Sequence, residues 1–315
     1  MKKLIILAAL AASATFATAQ QQQNFSLYQF FKQGFNPGYV GSAGPLAATL
    51  DYRNQWVNTD GSPTSFNAGV HGLLSGTRSK QSRHAMGLLF SNDQIGVSKA
   101  NSIALQYAYR LPVSNKMTLS FGVQAGYLQT MTNFSQLQVA DAPDPVASEN
   151  MKANSANVGA GLYLYSTRFF AGISSPGLLR NNKDFSGNDN PQANSQHYYL
   201  MSGYVFPVSN EVKLRASGLL KTTILEKGKT PAIADFNLAA ILYDRLLVGA
   251  SYRTDNTVLA IAQIQLTRAL NVGYGLDFNT GNIGRPSGVS HEIVLGFNLV
   301  SSKAAFTTPR FITYF

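Results

Sequence analysis

Residues 118–127 read Thr-Leu-Ser-Phe-Gly-Val-Gln-Ala-Gly-Tyr, so apolar side chains alternate with polar or small ones throughout. A β-strand points successive side chains to opposite faces, which puts Leu119, Phe121 and Tyr127 on one face and Gln124 on the other. The same alternation recurs at residues 103–111, 270–278 and 292–299. The chain is therefore predicted to consist of strands whose two faces meet different surroundings.

Extending this pattern along the chain predicts fourteen strands. They lie at residues 46–56, 63–73, 83–92, 100–111, 117–130, 155–166, 169–175, 196–206, 212–221, 234–243, 246–253, 257–267, 270–278 and 290–299. A soluble β-sandwich would also alternate, so the strands alone do not decide the architecture.

The lengths of the links between strands favour a barrel. Links after even-numbered strands are mostly short, as at residues 112–116, 166–168 and 244–245, whereas links after odd-numbered strands are mostly long, as at 132–152 and 177–195. Outer-membrane barrels sort their connections in this way, with the short turns on the periplasmic side. A sandwich has no reason to do so.

Composition excludes most soluble classes. Only 13% of the 315 residues are charged, about half the ~25% of an ordinary soluble protein, and the mean hydropathy is -0.04. After residue 19 no apolar run approaches the ~18 residues of a membrane-spanning helix. In water the outward rows of Leu, Phe, Val and Tyr would form an apolar patch larger than monomers tolerate, whereas lipid accommodates them. The sequence predicts an all-β fold, a single antiparallel transmembrane β-barrel of about 14 strands.

The first nineteen residues have the composition of a secretory signal peptide, with Lys2 and Lys3, an apolar stretch to Ala14 and a small-residue cleavage site near Ala19. The chain is therefore divided into a signal peptide (1–19), a periplasmic N-terminal aromatic segment (20–45), the transmembrane barrel (46–300) and a C-terminal tail (301–315). This organisation predicts a multi-pass protein in the outer membrane of a Gram-negative bacterium. The formal charge of +10 is scattered along the chain, which argues against a nucleic-acid partner.

An aromatic cluster precedes the first predicted strand. Five aromatic side chains within eleven residues are difficult to leave in water, so the segment is predicted to be a plug or a partner-docking element. Trp56, the last residue of the first predicted strand, suits the aromatic belt at the membrane interface, with a partner contact as the alternative. The partner-binding candidates are Tyr28, Phe30, Phe31, Phe35, Asn36, Pro37 and Trp56.

Several charged residues fall on inward positions of the predicted strands, where a polar lumen accepts them. They are predicted to form a structural network, with a path for a ligand or an anion as the alternative. The candidates are Asp51, Arg53, Arg110, Arg215, Arg253 and Asp277.

The sequence offers little for catalysis. Ser195 precedes His197 and Ser290 precedes His291, but strand geometry is expected to point each hydroxyl and its imidazole to opposite faces. There is no metalloprotease, lipase, P-loop or dinucleotide motif in a suitable context, and the carboxylates form no obvious metal cluster. We therefore expect no catalytic residues, no metal and no cofactor.

Short motifs in a fixed order resemble one family. Among them are Asn-Pro-Gly-Tyr-Val-Gly-Ser at 36–42, Asp-Tyr-Arg-Asn-Gln-Trp at 51–56, Gly-Ala-Gly-Leu-Tyr-Leu-Tyr at 159–165, Gly-Ala-Ser-Tyr-Arg at 249–253 and Pro-Arg-Phe at 309–311. Together they resemble the PorP/SprF family of Bacteroidota outer-membrane proteins, which belongs to the type IX secretion system and the associated gliding machinery. The resemblance extends from about residue 29 to residue 311.

The resemblance implies a non-catalytic component that supports secretion or surface anchoring of cargo. Its implied partners are other type IX secretion components, the C-terminal domains of secreted cargo or adhesins, and outer-membrane lipid. Basic residues in the short turns, Lys116, Arg168, Arg245 and Arg268, suit an acidic periplasmic partner, although charge flanking the lipid band is the simpler explanation. The alternative function is a small-solute outer-membrane porin or channel, which would need an open, conducting lumen.

Overall fold

The computed structural model describes residues 25–74, 82–136, 150–179, 195–225, 228–229, 231–281 and 288–299. The predicted signal peptide and the tail at 301–315 lie outside the described residues. The described part of the chain is almost entirely strand.

The strands follow the predicted order closely. They are β1 (Leu46–Asn54), β2 (Thr64–Leu73), β3 (His84–Ile95), β4 (Ser98–Pro112), β5 (Thr118–Thr132), β6 (Met151–Tyr165), β7 (Phe169–Gly177), β8 (Gln196–Pro207), β9 (Val212–Leu225), β10 (Gly228–Lys229), β11 (Ile233–Leu242), β12 (Leu246–Arg253), β13 (Thr257–Gln265), β14 (Leu270–Asn279) and β15 (Ser290–Leu299). The two-residue β10 pairs only with β9, and the other fourteen strands form the wall.

The wall closes where its first strand meets its last. β1 pairs antiparallel with β15, from Leu46 opposite Leu299 to Asn54 opposite His291, and with β2 on its other side. Every wall strand therefore has a neighbour on both sides, which allows the backbone to pair within the hydrocarbon. The predicted 14-strand antiparallel barrel is confirmed.

Side chains alternate between lipid and lumen in the predicted register. Phe121 on β5 and Leu295 on β15 are 43% and 41% exposed on the outer face. Ser120, which precedes Phe121 on β5, is fully buried towards the lumen, and so is Gln106 on β4.

Several strands are longer than predicted, among them β3, β4, β5, β6 and β9. β4, β5 and β6 each span 15 residues, whereas the pattern predicted 100–111, 117–130 and 155–166. The extra residues of β4 and β6 include the polar outward side chains of Lys99, Lys152 and Asn154. Apolar alternation therefore ends before the hydrogen-bonded ladder does.

The links sort to two ends of the barrel. The links at 113–117, 166–168, 208–211, 243–245 and 266–269 are short and lie at one end, here called the short-turn end. The links at 133–150 and 178–195 lie at the other, here called the long-loop end. The sorting has exceptions, because the links at 96–97 and 254–256 are short and the link at 74–83 is long.

Residues 25–45, here called the plug, lie inside the barrel. They contain two one-turn 3-10 helices, Lys32–Gly34 and Pro37–Tyr39. Leu27, Tyr28 and Phe35 pack with wall residues such as Tyr163 and Tyr199 in one hydrophobic cluster. The sequence left two placements open for this segment, in the periplasm or inside the barrel as a plug; residues 25–45 lie inside, where the barrel interior removes these rings from water. No helix in the described part of the chain is long and apolar enough to cross a membrane.

Two wall glycines let the plug approach the sheet. A Cβ on Gly122 would lie 2.1 Å from the backbone nitrogen of Gly38, and one on Gly161 would lie 2.1 Å from Oδ1 of Asn36. Any larger residue at these positions would push the plug off the wall. The glycines of β5 and β6 are therefore part of how the sequence specifies the plug.

We expect Phe121→Arg and Leu295→Arg to destabilise the barrel by about 2 to 4 kcal/mol where they lie near the bilayer midplane, because each places a charge in lipid. Gln124→Arg, on the lumen side of β5, is the matched control and should cost less. The measurement is the urea midpoint for loss of the heat-modifiable gel band in mild detergent. If Gln124→Arg costs more than Phe121→Arg, the register is shifted by one residue.

Candidate functional site

The backbone at the start of the plug is hydrogen-bonded to a buried carboxylate. The two carboxylate oxygens of Glu292, on β15, accept the backbone N–H groups of Ser26 and Leu27, each at 2.8 Å. Glu292 is 1% exposed and both plug residues are fully buried. Charge-assisted bonds of this kind are roughly twice as strong as neutral ones, so Glu292 fixes the path of the chain at this point.

An arginine links this carboxylate to a second one. Arg53 on β1 donates from Nη1 to Glu292 at 2.8 Å and from Nη2 to Asp277 on β14 at 2.6 Å. The hydroxyl of Ser26 donates to Asp277 and accepts from Arg53. The residues Ser26, Leu27, Arg53, Asp277 and Glu292 are here called the latch.

A second ion pair lies beside the latch. Arg253 on β12 pairs with Asp235 on β11 at 3.3 Å and donates from Nη2 to the carbonyl oxygen of Phe25 at 3.0 Å. Phe25 and Ser26 are therefore held through both backbone donors and backbone acceptors. Because Arg53, Arg253 and Glu292 all lie near the long-loop ends of their strands, the latch is at that end of the lumen.

The middle of the plug binds a row of side-chain amides. Nε2 of Gln33 donates to the carbonyl oxygens of Val70 and Leu88, at 3.2 and 3.1 Å, and to Oε1 of Gln106 at 2.8 Å. Gln106 in turn donates to Gln124 at 2.8 Å. This row fixes the depth of the plug relative to β2–β5.

The plug ends at the opposite mouth of the barrel. Nδ2 of Asn36 donates to the carbonyl oxygen of Leu162 at 2.9 Å, and the backbone N–H of Gly41 donates to Nδ1 of His71 at 3.1 Å. Val40 packs with Ala85 and Ala108, near the short-turn ends of β3 and β4. Residues 25–45 therefore cross the lumen from the long-loop end to the short-turn end.

The predicted lumen residues form several groups. Arg53 and Asp277 meet in the latch and Arg253 pairs with Asp235, as described. Asp51 accepts a hydrogen bond from Asn67 at 2.8 Å, and Arg110 donates to the hydroxyl of Tyr165 at 2.6 and 2.9 Å. Arg215 forms no ion pair with a described carboxylate; its Nη2 donates to Oδ1 of Asn237 at 3.4 Å, and its guanidinium lies 5.4 Å from the ring of Phe30.

Sequence reasoning missed several residues of the site, among them Glu292, Asp235, Gln106 and Lys32. Glu292, Asp235 and Gln106 each occupy an inward position of an alternating strand, and that position was the available signal. For Lys32 the available signal was its place among the aromatic residues of the plug, directly after Phe31. Burial and the nearby Arg215 lower the pKa of the Lys32 amine well below its usual range.

The predicted partner-binding residues are mostly inside. Tyr28, Phe31 and Phe35 are 0%, 2% and 3% exposed, Asn36 and Pro37 are buried, and Phe30 is half-buried. Docking of a partner on these side chains stays a prediction, and it would require the plug to leave its place. Trp56 lies in the link between β1 and β2, half-buried, and its backbone N–H donates to the Ser290 hydroxyl at 3.2 Å.

The side chains of Ser195 and His197 were predicted to point to opposite faces, and this prediction is wrong. Oγ of Ser195 lies 3.2 Å from Nε2 of His197, because residues two apart in a strand share a face. Nδ1 of His197 lies 2.9 Å from the Thr223 hydroxyl, so no carboxylate orients the ring in the manner of a hydrolase triad. Ser290 and His291 do point apart, since His291 contacts the hydroxyl of Tyr274 on the outer face.

Among the described residues, no group of three or more His, Cys, Asp or Glu side chains could hold a metal ion.

Beside the plug, a cavity of about 210 Å³ lies against β2–β8. Phe25, Phe31, Gln124, Asn157 and His197 line it. Its lining is aromatic, aliphatic and uncharged polar, in contrast to the ionic latch.

Comparison with known proteins identifies one family. A family model described as type IX secretion system membrane protein PorP/SprF matches residues 17–297. No curated protein matches the chain significantly.

Three of the solved structures that match the chain are distant from it in sequence. A Pseudomonas aeruginosa FadL homologue is 11% identical to this chain. The match covers 80% of this chain and 88% of the homologue, with a TM-score of 0.41. The monoaromatic hydrocarbon channel CymD is 11% identical, with 81% and 88% covered and a TM-score of 0.45. The P. putida toluene transporter TodX is 9% identical, with 85% and 93% covered and a TM-score of 0.44.

We expect Glu292→Ala to loosen the plug while the barrel stays closed. The substitution removes the acceptor for two plug amides and leaves Arg53 with one partner fewer, and breaking a buried ion pair costs about 3 to 5 kcal/mol. The measurement is hydrogen–deuterium exchange of residues 25–41 in detergent, which should become faster. Glu211→Ala, in an exposed turn, is the control, and unchanged exchange in Glu292→Ala would mean that the latch does not hold the plug.

Proposed function

This chain belongs to the PorP/SprF family of type IX secretion system membrane proteins, and on that premise we propose that it supports the secretion or surface anchoring of cargo without catalysing a reaction. Its site of action is the outer membrane, reached after removal of the signal peptide near Ala19. Cargo or adhesin C-terminal domains and other components of the machinery are its partners, and lipid surrounds its wall.

The observation that carries this proposal is the occupied lumen. A solute channel needs an open path between the two ends, whereas the plug crosses the lumen and is bonded to the wall at both ends and in the middle. A protein that binds or anchors another protein needs no open path. The occupied lumen therefore favours a binding component over a porin.

The short-turn end suits a partner of the opposite charge. Lys116, Arg168, Arg245 and Arg268 are exposed there. The acidic side chains of the same turns are fewer, and one of them, Asp244, is paired with Lys213. We infer that an acidic periplasmic surface of another secretion component docks at this end.

Deleting the protein is expected to remove one or a few large type IX cargo proteins from the cell surface or medium, because a cargo-specific component affects its own client. General export and the uptake of small solutes should be unchanged. Quantitative mass spectrometry of surface and medium proteins, with radiolabelled solute uptake, measures both. Normal secretion of every surface protein, together with impaired uptake, would replace this proposal with the porin.

The wild-type protein is expected to be electrically silent in planar bilayers, since the plug blocks the lumen. Gly122→Ala should produce open channels, because its Cβ would overlap the backbone of Pro37 and Gly38. Gly218→Ala is the matched control, since the nearest atom to its Cβ would be 3.4 Å away. Stable conductance from the wild-type protein would contradict the plugged state.

A further inference from the structure

Two basic side chains stand on the outer face of the barrel at the short-turn end. Arg83 immediately precedes β3 and His84 is the first residue of that strand, and both are exposed. Nη1 of Arg83 donates to the hydroxyl of Tyr109 at 3.4 Å, and Nδ1 of His84 lies 2.6 Å from the hydroxyl of Tyr107. Both tyrosines belong to β4, and Tyr109 lies opposite His84 in the ladder. The four residues Arg83, His84, Tyr107 and Tyr109 are here called the outer cluster.

The outer cluster lies where apolar contact with lipid ends on β3. The next outward residues of this strand are Met86, Leu88 and Phe90, all of them apolar and exposed. In the other direction the strand ends at His84 and the link from β2 adjoins it. Amphipathic rings and basic side chains at such a boundary lie at the level of the lipid headgroups, whereas acyl chains cover the apolar row.

Elsewhere at the short-turn end, exposed apolar side chains continue into the links. Val113, Val208 and Leu266 are each the first residue of a short link, and all three are exposed. Arg83 therefore lies at an end of the barrel where other parts of the wall meet lipid up to the turns. Its charge has no carboxylate partner among the described residues, and a guanidinium beside lipid is stabilised by an anion.

The geometry of the outer cluster suits a phosphate. The hydrogen bond from Nη1 to Tyr109 holds the guanidinium of Arg83 on the outer face, and arginine has further donors in the same planar fork. The imidazole of His84 lies between two rings, with its centroid 6.0 Å from that of Tyr107 and 5.5 Å from that of Tyr109. A guanidinium fork matches the spacing of phosphate oxygens, and the phosphate of a phospholipid is the anion found at headgroup level.

The long-loop end offers a comparison within the same molecule. Nδ1 of His291 lies 2.6 Å from the hydroxyl of Tyr274 on the outer face, and their ring centroids are 6.1 Å apart. This pair therefore matches His84 and Tyr107 in geometry, but no arginine contacts it among the described residues. A histidine–tyrosine pair alone is an ordinary part of an aromatic belt, and Arg83 is what adds recognition of an anion.

We propose that the outer cluster binds the phosphodiester group of a phospholipid in the membrane leaflet at the short-turn end. Arg83 binds the phosphate oxygens, His84 and the two tyrosines flank the headgroup, and an acyl chain lies along Met86, Leu88 and Phe90. A free phosphate would lack these apolar contacts, so phosphate carried by a lipid is the ligand that fits both parts of the surface. This inference rests on the membrane-spanning barrel and not on the proposed role in secretion.

The test is native mass spectrometry of the full mature chain in nonionic detergent, titrated with phosphatidylglycerol. Diacylglycerol with the same acyl chains has no phosphate and should bind about tenfold more weakly, as expected when one charge-assisted hydrogen bond is lost. Equal affinities for the two lipids would overturn the proposal. Displacement of phosphatidylglycerol by inorganic phosphate would also overturn it, because the site would then be one for free anions.

Variants assign the phosphate to this cluster. The double variant Arg83→Gln, His84→Gln should bind phosphatidylglycerol about tenfold more weakly and diacylglycerol as before. Arg168→Gln removes an exposed charge from another short turn and His291→Gln alters the long-loop pair, and both controls should keep the wild-type affinity. An unchanged affinity in the double variant, or an equal loss in Arg168→Gln, would overturn the site. Heat-modifiable migration shows whether each variant is folded, and the comparison of the two lipids on the wild-type chain needs no variant.

Discussion

The pairing of β1 with β15 is the interaction on which the rest of the structure depends. Hydrocarbon offers no hydrogen-bond partner, so every backbone N–H and C=O of the wall must be paired within the sheet, and only closure leaves no edge. Closure in turn creates an interior that has to be filled. A wall of fourteen strands is too wide for its own inward side chains to meet, and the chain fills the space with residues 25–45. The plug therefore follows from the width of the barrel. In the same way, the alternation of side chains follows from the contact of the wall with lipid on one face and with the lumen on the other.

The wall could be predicted from the sequence and the plug's contacts could not, for a physical reason. Alternation at residues 118–127 reports a local property, the period of two of a strand between lipid and lumen. The latch joins Ser26 to Glu292, residues 266 positions apart, through single side chains that no local pattern marks. Five aromatic residues indicated that the segment would avoid water, but not where it would lie. The outward polar ends of β4 and β6 were missed because the sequence pattern follows hydrophobicity, which ends where lipid ends, whereas the hydrogen-bonded ladder continues.

The candidate charged residues of the lumen were predicted to form one network. In the structure they form separate groups, some with an ion pair and some without one. Arg53 and Arg253 have carboxylates of neighbouring strands within reach, and these pairs also hold the backbone of Phe25 to Leu27. Arg215 instead donates to the amide oxygen of Asn237 and lies against the ring of Phe30. Inward position is readable from the period of two, but the identity of the partner depends on register and on the plug. The sequence therefore shows which charges enter the lumen and not which of them are neutralised there.

The two kinds of contact in this molecule differ in how they can be exchanged. A strand cannot leave the wall without exposing its backbone to hydrocarbon, where each unpaired group costs several kcal/mol. The plug is held by hydrogen bonds to the wall and by the packing of its buried aromatic rings, contacts that another peptide entering the lumen can replace. Glu292, for example, binds two consecutive backbone N–H groups and would bind them in any chain that presented them in the same geometry. We therefore expect a rearrangement that accompanies partner binding to involve residues 25–45 rather than the strands of the wall.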